Sequence, residues 1–233
     1  GVYEVTLGEE ETVITITVTA EDGVTKLTTL VTVVRTAAEP ASWRAEFGAQ
    51  ADVAFGPMVA RAFDVAVDGE GNVYVVGVTN AGIEGGSIGR DNEGCDYCED
   101  AFLAKFDKYG ARLWVYQFGS EFDDRATRVV VADDGTVLVG GETHASDWSD
   151  ATASMLSGPK LFVRAFSADF GQESHEPSWT HLFGLDSENT LGALAVDGNG
   201  FVHAAFTSSS KLSSIMLLTV EVESGETSGD GLR

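Results

Sequence analysis

One short pattern occurs three times in this chain and limits its fold more than any other feature. The pattern is a tryptophan, three variable residues, a phenylalanine and a glycine, and it begins at Trp43, Trp114 and Trp179. The intervals are 71 and 65 residues, and self-similarity at such a period is typical of an array of like structural units. Each unit of such an array buries its faces against its neighbours. The sequence therefore predicts repeats at 43–113, 114–178 and 179–233.

A second shared element follows each tryptophan and predicts two strands joined by a tight turn. It covers 65–75, 129–139 and 194–204, where alternating apolar residues flank a centre rich in Asp and Gly. Alternation with period two places side chains on opposite faces of a sheet. We expect the glycine of each turn to take a positive φ and the aspartate to bond neighbouring amides. The centres lack the spaced ligands of a twelve-residue calcium loop, so no metal is expected.

A third element completes the count of strands. It occurs at 101–107 and 161–167, with a weaker counterpart at 216–222. Each repeat then contains four strands, which is the content of a propeller blade. The predicted fold is all-β, with about three propeller-type blades, the last of which lacks its own tryptophan strand. Closure of a ring within this chain is therefore doubtful, because propellers close with about four to eight blades.

These three elements resemble the SBBP-type beta-propeller repeat. The resemblance is carried by the tryptophan pattern, by residues 67–79 and by residues 100–107, and it extends over 43–225. It is weakest in the third repeat, where Phe206 stands in place of the glycine expected near the end of the second strand. The resemblance implies an extracellular or cell-surface protein and no shared catalytic residues.

Residues 1–37 have a different texture, rich in Thr and Val and without tryptophan. Two alternating stretches, 11–20 and 25–35, flank Glu21, Asp22 and Gly23, which predicts a β-hairpin. The segment is similar to the closing strands of a bacterial cadherin-like or immunoglobulin-like sandwich, and 38–42 is the predicted linker. A lone hairpin is marginally stable and exposes unpaired edges, so we expect it to dock on other strands, on the propeller or on another subunit.

Charge excludes two classes of partner. The chain has 14 Lys and Arg against 37 Asp and Glu, a formal net charge of −23. Nucleic acid and anionic membrane surfaces are therefore poor ligands. No apolar run approaches the roughly 18 residues of a spanning helix, so membrane insertion is not expected either.

Two cysteines, Cys95 and Cys98, are separated by two residues. This spacing occurs in redox motifs, in halves of zinc sites and in short-loop disulfides. The acidic neighbours Asp96, Glu99 and Asp100 disfavour a reactive thiolate, and no second pair or nearby histidine completes a zinc site. A structural disulfide between Cys95 and Cys98 is favoured, and free thiols are the next interpretation.

Catalytic residues are not predicted. The four histidines are scattered and fall in no catalytic or metal-binding motif, and we expect His181 to be a packed strand residue. The adjacent pairs Asp123–Asp124 and Asp133–Asp134 suit a turn or a solvated edge better than a pair of catalytic carboxylates. The sequence predicts no cofactor and no metal.

The candidate binding residues lie in an insertion between strands. Asp147, Trp148 and Asp150 fall outside the repeat pattern, and loops on a rigid scaffold are where binding groups concentrate. The matching insertion of the first repeat is 80–99. The tryptophans of the repeat pattern are expected to fill space between blades rather than to bind sugars.

The function hypothesis is a structural protein, extracellular or at the cell surface, that acts through β-mediated assembly as a fibre or filament subunit, or in adhesion. Its partners are then copies of itself or other surface proteins. A carbohydrate-binding or carbohydrate-cleaving propeller is the alternative, with glycans as ligands, and a periplasmic scaffold is a third class. A cleft that brings two carboxylates or a metal cluster together would favour the alternative, and large self-complementary edges would favour assembly.

Overall fold

The computed structural model describes residues 11–19, 26–34, 43–47, 59–83, 88–89, 98–145, 155–171, 176–184, 189–209 and 214–227. The chain divides into two compact units, Gly1–Trp43 and Arg44–Arg233. Every regular element over these ranges is a β-strand, which confirms the predicted all-β class. A search of them for a helix long and apolar enough to cross a membrane found no candidate.

The first unit contains a two-stranded antiparallel sheet. Strand β1 is Glu11–Thr19 and strand β2 is Lys26–Val34. Nine consecutive residue pairs join them, from Glu11 opposite Val34 to Thr19 opposite Lys26, with no shift of register. The strands predicted at 11–20 and 25–35 are confirmed, and the turn between them lies outside the described residues.

The second unit contains three sheets over the residues described, and apart from one short parallel strand in the first sheet each is an antiparallel meander in chain order. The first sheet consists of β3 (Ala60–Val67), β4 (Val73–Thr79), β6 (Asp100–Phe106) and β7 (Arg112–Phe118), and the short β5 (Ile88–Gly89) lies parallel to β7. The second consists of β8 (Asp124–Val131), β9 (Val137–Ala145), β10 (Met155–Phe166) and β11 (Trp179–Phe183). The third consists of β12 (Asn189–Val196), β13 (Phe201–Ser208) and β14 (Ser214–Glu221).

The tryptophan strands are the last strands of their sheets. Trp114 lies in β7 and Trp179 in β11, so each sheet begins one strand later than the corresponding sequence repeat. Residues 43–47 carry the first copy of the pattern and form no strand. Beyond β14, the described chain adds one isolated bridge, Val220 to Thr227.

The three sheets pack face to face in chain order. Leu103 and Phe166 are fully buried between the first and second sheets, and Val163 and Phe206 between the second and third. Removal of each such side chain from water contributes about 1.5–3 kcal/mol. The middle sheet is therefore apolar on both faces, because successive residues of its strands point alternately towards the first and the third sheet.

The tight turns confirm the sequence prediction for glycine. Gly71, Gly135 and Gly200 have φ values of 88°, 87° and 84°, where a side chain would be strained. In two of these turns the predicted aspartate, Asp68 or Asp197, accepts hydrogen bonds from N–H groups two and four residues later.

The departure at Phe206 has a packing explanation. Gly77 pairs with Phe102 and Gly141 with Phe162, and a Cβ atom at either glycine would lie within 2.8 Å of the paired ring. In the third sheet the corresponding pair is Phe206 with Met216. The aromatic ring has moved from the third strand to the second, and the volume it fills is kept.

Candidate functional site

The predicted binding residues Asp147, Trp148 and Asp150 lie outside the described residues, so their role stays a prediction. The same is true of the disulfide, because Cys95 is not described. The residues that are described include no free cysteine, and the Sγ atom of Cys98 lies 3.5 Å from the carbonyl oxygen of Glu121.

Part of the insertion at 80–99 packs on the first sheet. Ile83 is 2% exposed and contacts the cluster formed by Phe102, Ala104 and Phe106. The Asn80 side chain accepts the Val59 N–H at 2.7 Å, which fixes the start of the insertion. This part of the insertion therefore covers part of the rear face of the first sheet, the face turned away from the second.

Trp114 and Trp179 fill equivalent spaces between neighbouring sheets, as predicted. Trp114 makes edge contacts with Tyr74 and Phe170 and lies against Gly171, the turn glycine of the second sheet. Trp179 lies against Gly225, in the turn that follows β14 of the third sheet, and donates from Nε1 to the Val222 carbonyl oxygen at 2.8 Å. Each indole thereby joins the last strand of one sheet to the outer turn of the next.

The described histidines form no common site, although His144 lies beside the first acidic pair, with its Nδ1 atom 3.3 Å from the Asp123 carbonyl oxygen. His181 lies half-buried in β11 beside the Phe183 ring, and burial lowers the pKa of its imidazole. His203 lies in the third sheet, where its Nε2 atom is 3.3 Å from Asp197 in the turn before the same strand. Asp124 is fully buried and accepts hydrogen bonds from Ser120 N and Oγ at 2.5 and 2.7 Å.

Two clefts lie between the sheets at the edge that carries the tight turns. One, of about 410 Å³, has the acidic lining residues Asp68, Glu70, Asp133 and Asp134. The other, of about 250 Å³, has Asp133, Asp134, Asp197, Glu221 and Glu223. Over the described ranges, no group of three or more His, Cys, Asp or Glu side chains could hold a metal ion.

Two of the carboxylates in these clefts, those of Asp68 and Asp197, accept hydrogen bonds from the backbone of the turns that contain them. Burial acts to raise the pKa of Asp68, but hydrogen bonds from Asn72 and Glu70 outweigh it and leave the pKa below its usual value. The pKa of Asp197 is lowered to about 2, chiefly by the hydrogen bond that its carboxylate accepts from the Phe201 N–H. Both carboxylates are ionised at neutral pH and are unsuited to donate a proton in catalysis.

Two charged side chains join the first strands of neighbouring sheets, and sequence reasoning missed both. Asp64 and Arg128 each follow a bulge at the same place in their strands. Asp64 Oδ2 accepts the Val129 N–H at 3.0 Å, and Arg128 donates from Nε and Nη2 to the Gly192 carbonyl oxygen at 2.9 and 2.7 Å. The sequence did contain a signal for both residues, since each places a charge at the equivalent position of a strand that is otherwise mostly apolar.

The front face of the third sheet, turned away from the second, is the most exposed apolar surface among the described residues. Ile215 and Leu217 are 87% and 65% exposed. On the rear face of the first sheet, Val65 and Val67 are 58% and 60% exposed. Sequence reasoning expected unfinished ends and did not identify these residues. Their alternation was visible, but only the packing order shows which faces lack a neighbouring sheet in the described part of the chain.

These features fit the repeat that the sequence resembles. Residues 61–84, which contain most of β3 and all of β4, match the beta-propeller repeat family. The sheets are propeller-type blades. A search of the curated proteins found no match to this chain. The first and second blades have four antiparallel strands each, and the third has three in the part of the chain that is described.

Proposed function

We propose that this protein is a structural protein, extracellular or at the cell surface, that acts through β-mediated assembly as a fibre or filament subunit, or in adhesion. One observation carries the proposal: the front face of the third blade exposes Ile215 and Leu217 at 87% and 65%. Exposed apolar residues that lie side by side on one face of a sheet mark a candidate contact surface, because monomeric proteins rarely expose large apolar patches. Copies of the chain or other surface proteins are the proposed partners.

The hairpin of the first unit supports the same proposal. Its two nine-residue strands pair with each other and with no third strand in the part that is described. Such long strands offer edges that can pair with another chain. We interpret residues 1–37 as the closing hairpin of a cadherin-like or immunoglobulin-like sandwich.

A carbohydrate-binding or carbohydrate-cleaving role is the second candidate, and the two acidic clefts are the observation that favours it. This role has weaker support than assembly, because the carboxylates of Asp68 and Asp197 already accept hydrogen bonds from the backbone of their own turns. The first proposal is non-enzymatic and needs no cofactor. Calorimetric titration with neutral and amino oligosaccharides tests the second, since a saturable heat that Asp134→Asn abolishes would support it.

Assembly is tested by sedimentation velocity and electron microscopy of the full chain and of a variant without residues 1–37. We expect the full chain to form oligomers or fibres and the shortened chain to form smaller species with unchanged β-sheet content by circular dichroism. A monomeric full chain at high micromolar concentration would contradict the proposal. If the assemblies keep their length after the deletion, the hairpin takes no part in the assembly.

A further inference from the structure

Lys105 is a buried lysine in β6, the third strand of the first blade. It is 7% exposed, and lysine side chains are seldom buried unless they are paired. Its Nζ atom lies 5.1 Å from the centre of the Tyr74 ring, and the Tyr74 hydroxyl donates a hydrogen bond to Asp68 at 3.2 Å. Within the described part of the chain, the Lys105 ammonium has no hydrogen-bond acceptor and no ion-pair partner.

The blade fold does not require a charge at this position. The equivalent cross-strand pairs of the three blades are Tyr74–Lys105, Leu138–Ala165 and His203–Thr219. Removal of an ammonium from water is costly, and the fully buried Ala165 avoids that cost in the second blade. The cation–π contact with Tyr74 offsets part of the cost, but a ring supplies no oxygen acceptor. Lys105 therefore serves something other than the packing of its blade.

Lys105 lines the larger of the two clefts, of about 410 Å³, between the first and second blades. The tight turns of both blades line the same cleft with four carboxylates, those of Asp68, Glu70, Asp133 and Asp134. The last three are exposed, so the cleft combines one buried donor with three exposed acceptors. The smaller cleft also has carboxylates, but its lining in the described chain includes no lysine or arginine.

The charge of the larger cleft limits what can bind there. Four carboxylates and one ammonium give its lining a formal charge of −3 at neutral pH. An anion, or an amino acid with its carboxylate, adds negative charge to this lining, and a bare cation leaves Lys105 without an acceptor. A ligand that suits all these groups has an uncharged oxygen for Lys105 and a positive charge for the carboxylates. A hydroxylated amine has both.

The size and the remaining lining of the cleft suit a sugar ring. Its volume lies within the range of about 300–1,000 Å³ that is usual for small-molecule sites. Val67, Val131 and Ala168 supply apolar contacts for the C–H groups of a ring. We propose that the larger cleft binds a sugar residue with a protonated amino group, whose hydroxyl oxygen accepts a hydrogen bond from Lys105 and whose ammonium lies beside the exposed carboxylates.

This site rests on the second candidate function, carbohydrate binding, and selects its cleft, its buried anchor and its class of sugar. It does not depend on assembly. The two proposals can therefore fail separately, because sugar binding is measured by calorimetry and assembly by sedimentation.

The test is calorimetric titration of the full chain with a trimer of glucosamine at about pH 5.5, below the pKa of an amino group. Trimers of N-acetylglucosamine and of glucose are the matched probes, because they keep the hydroxyl groups and lack the positive charge. We expect saturable binding of the glucosamine trimer and at least about tenfold weaker binding of the other two. The dissociation constant of the glucosamine trimer should rise with sodium chloride, because salt screens its ammonium from the carboxylates.

Lys105→Met tests the buried anchor. It removes the ammonium and is expected to weaken binding about tenfold or more, the usual effect of losing a hydrogen bond to a charged group. Lys108→Met is the matched control, since the Lys108 Nζ atom also lies over a ring, that of Tyr109 at 5.2 Å, and Lys108 does not line the cleft. Binding by Lys108→Met should be unchanged.

Two further measurements separate a binding role from a structural one. The melting temperature of Lys105→Met without ligand should equal or exceed that of the native chain, because the variant no longer buries an ammonium. Glu70→Gln, in an exposed turn, should weaken binding about two- to fivefold, whereas Glu223→Gln in the smaller cleft should not.

Each other outcome overturns a defined part. If none of the three trimers binds, both this site and the carbohydrate function are wrong, and assembly stands or falls by its own test. Equal binding of all three overturns the amino sugar and leaves carbohydrate binding standing. Binding of the glucosamine trimer that Lys105→Met does not weaken overturns the cleft as its site. A clear fall in the melting temperature of Lys105→Met shows that the lysine serves the fold and overturns its assignment to a ligand.

Discussion

At the scale of single residues, the phenylalanine of the repeated pattern serves as an anchor between blades. Phe118 is 3% exposed and Phe183 is 7% exposed, and each contacts aromatic rings of the following blade. The sequence predicted this role from spacing alone. Phe47 contacts Phe102 and Phe106 of the first blade in a similar way, but residues 43–47 form no strand, which the spacing did not predict.

Phe118→Ala is expected to lower the free energy of unfolding by about 3–5 kcal/mol, since it removes a buried ring that the surrounding strands cannot replace. Tyr109→Ala, at a ring that is 45% exposed in a turn, is the matched control and should cost less than about 1 kcal/mol. Urea denaturation measures both. A loss below about 1 kcal/mol for Phe118→Ala would show that the assignment of blade positions is wrong.

Asp197 gives a prediction about acid stability. Hydrogen bonds, the largest from the Phe201 N–H, lower the pKa of its carboxyl from 3.8 to about 2 in the folded chain. Its contribution to stability is therefore complete above pH 4 and is lost as the pH falls towards 2. Asp197→Asn should reduce the fall in melting temperature between pH 4 and pH 2.

The control for this measurement removes the same charge elsewhere in a turn. Asp169→Asn, at an exposed residue, measures how much of the change comes from the loss of one negative charge alone. A carboxyl titration of Asp197 by NMR with a midpoint near 4 would contradict the prediction directly.

At the scale of elements, strands and turns followed from alternation and from turn residues. Both strands of the hairpin and the turns at Gly71, Gly135 and Gly200 lie where the sequence predicted them. The second turn differs in detail. Ala132 stands where the other turns have aspartate, and Asp134 instead accepts the Thr136 N–H at 2.9 Å.

The links between blades were much harder to predict. Asp64 and Arg128 are opposite in charge and bond to backbone atoms of the next blade. A single sequence shows the charge at each position, but not the bulge that turns the side chain towards its neighbour. The candidate site, unlike the fold, therefore required the packing order of the sheets.

Gly141→Ala is expected to destabilise the second blade by about 1–3 kcal/mol through overpacking. The added Cβ atom would lie 1.9 Å from the Arg125 carbonyl oxygen and 2.6 Å from the Phe162 ring, so the backbone of β8 or β9 must shift. Gly198→Ala, whose Cβ atom would meet nothing within 4 Å, should change stability by less than about 0.5 kcal/mol. Thermal unfolding that moves equally in both variants would contradict this close packing.

At the scale of the whole molecule, association must overcome charge. Each chain carries a formal charge of −23, so two copies repel each other, and the proposed association needs contact between apolar faces to outweigh that repulsion. The Debye length falls from about 10 Å at 0.1 M salt to about 3 Å at 1 M, which screens the repulsion. The composition gives this repulsion directly, but it does not show which faces attract.

We expect the dissociation constant of the self-association to fall as sodium chloride rises from 0.02 to 0.5 M. Sedimentation equilibrium across that range measures it, with the Leu217→Asp variant as the control that should remain a single chain throughout. Association that weakens with salt would contradict an apolar interface and indicate one held by ion pairs.

The second and third strands of each blade share one aromatic ring, which lies on the third strand in two blades and on the second strand in the other. This pairing limits how the repeats can be duplicated. A second strand with Gly141 requires a ring on its third-strand partner, and a second strand with Phe206 requires a partner such as Met216. Copying one strand without its partner would bring two rings together or leave a void, at a cost of a few kcal/mol in either case. Gene duplication that moves both strands together keeps the pair matched, so the heritable module of this chain is at least a hairpin.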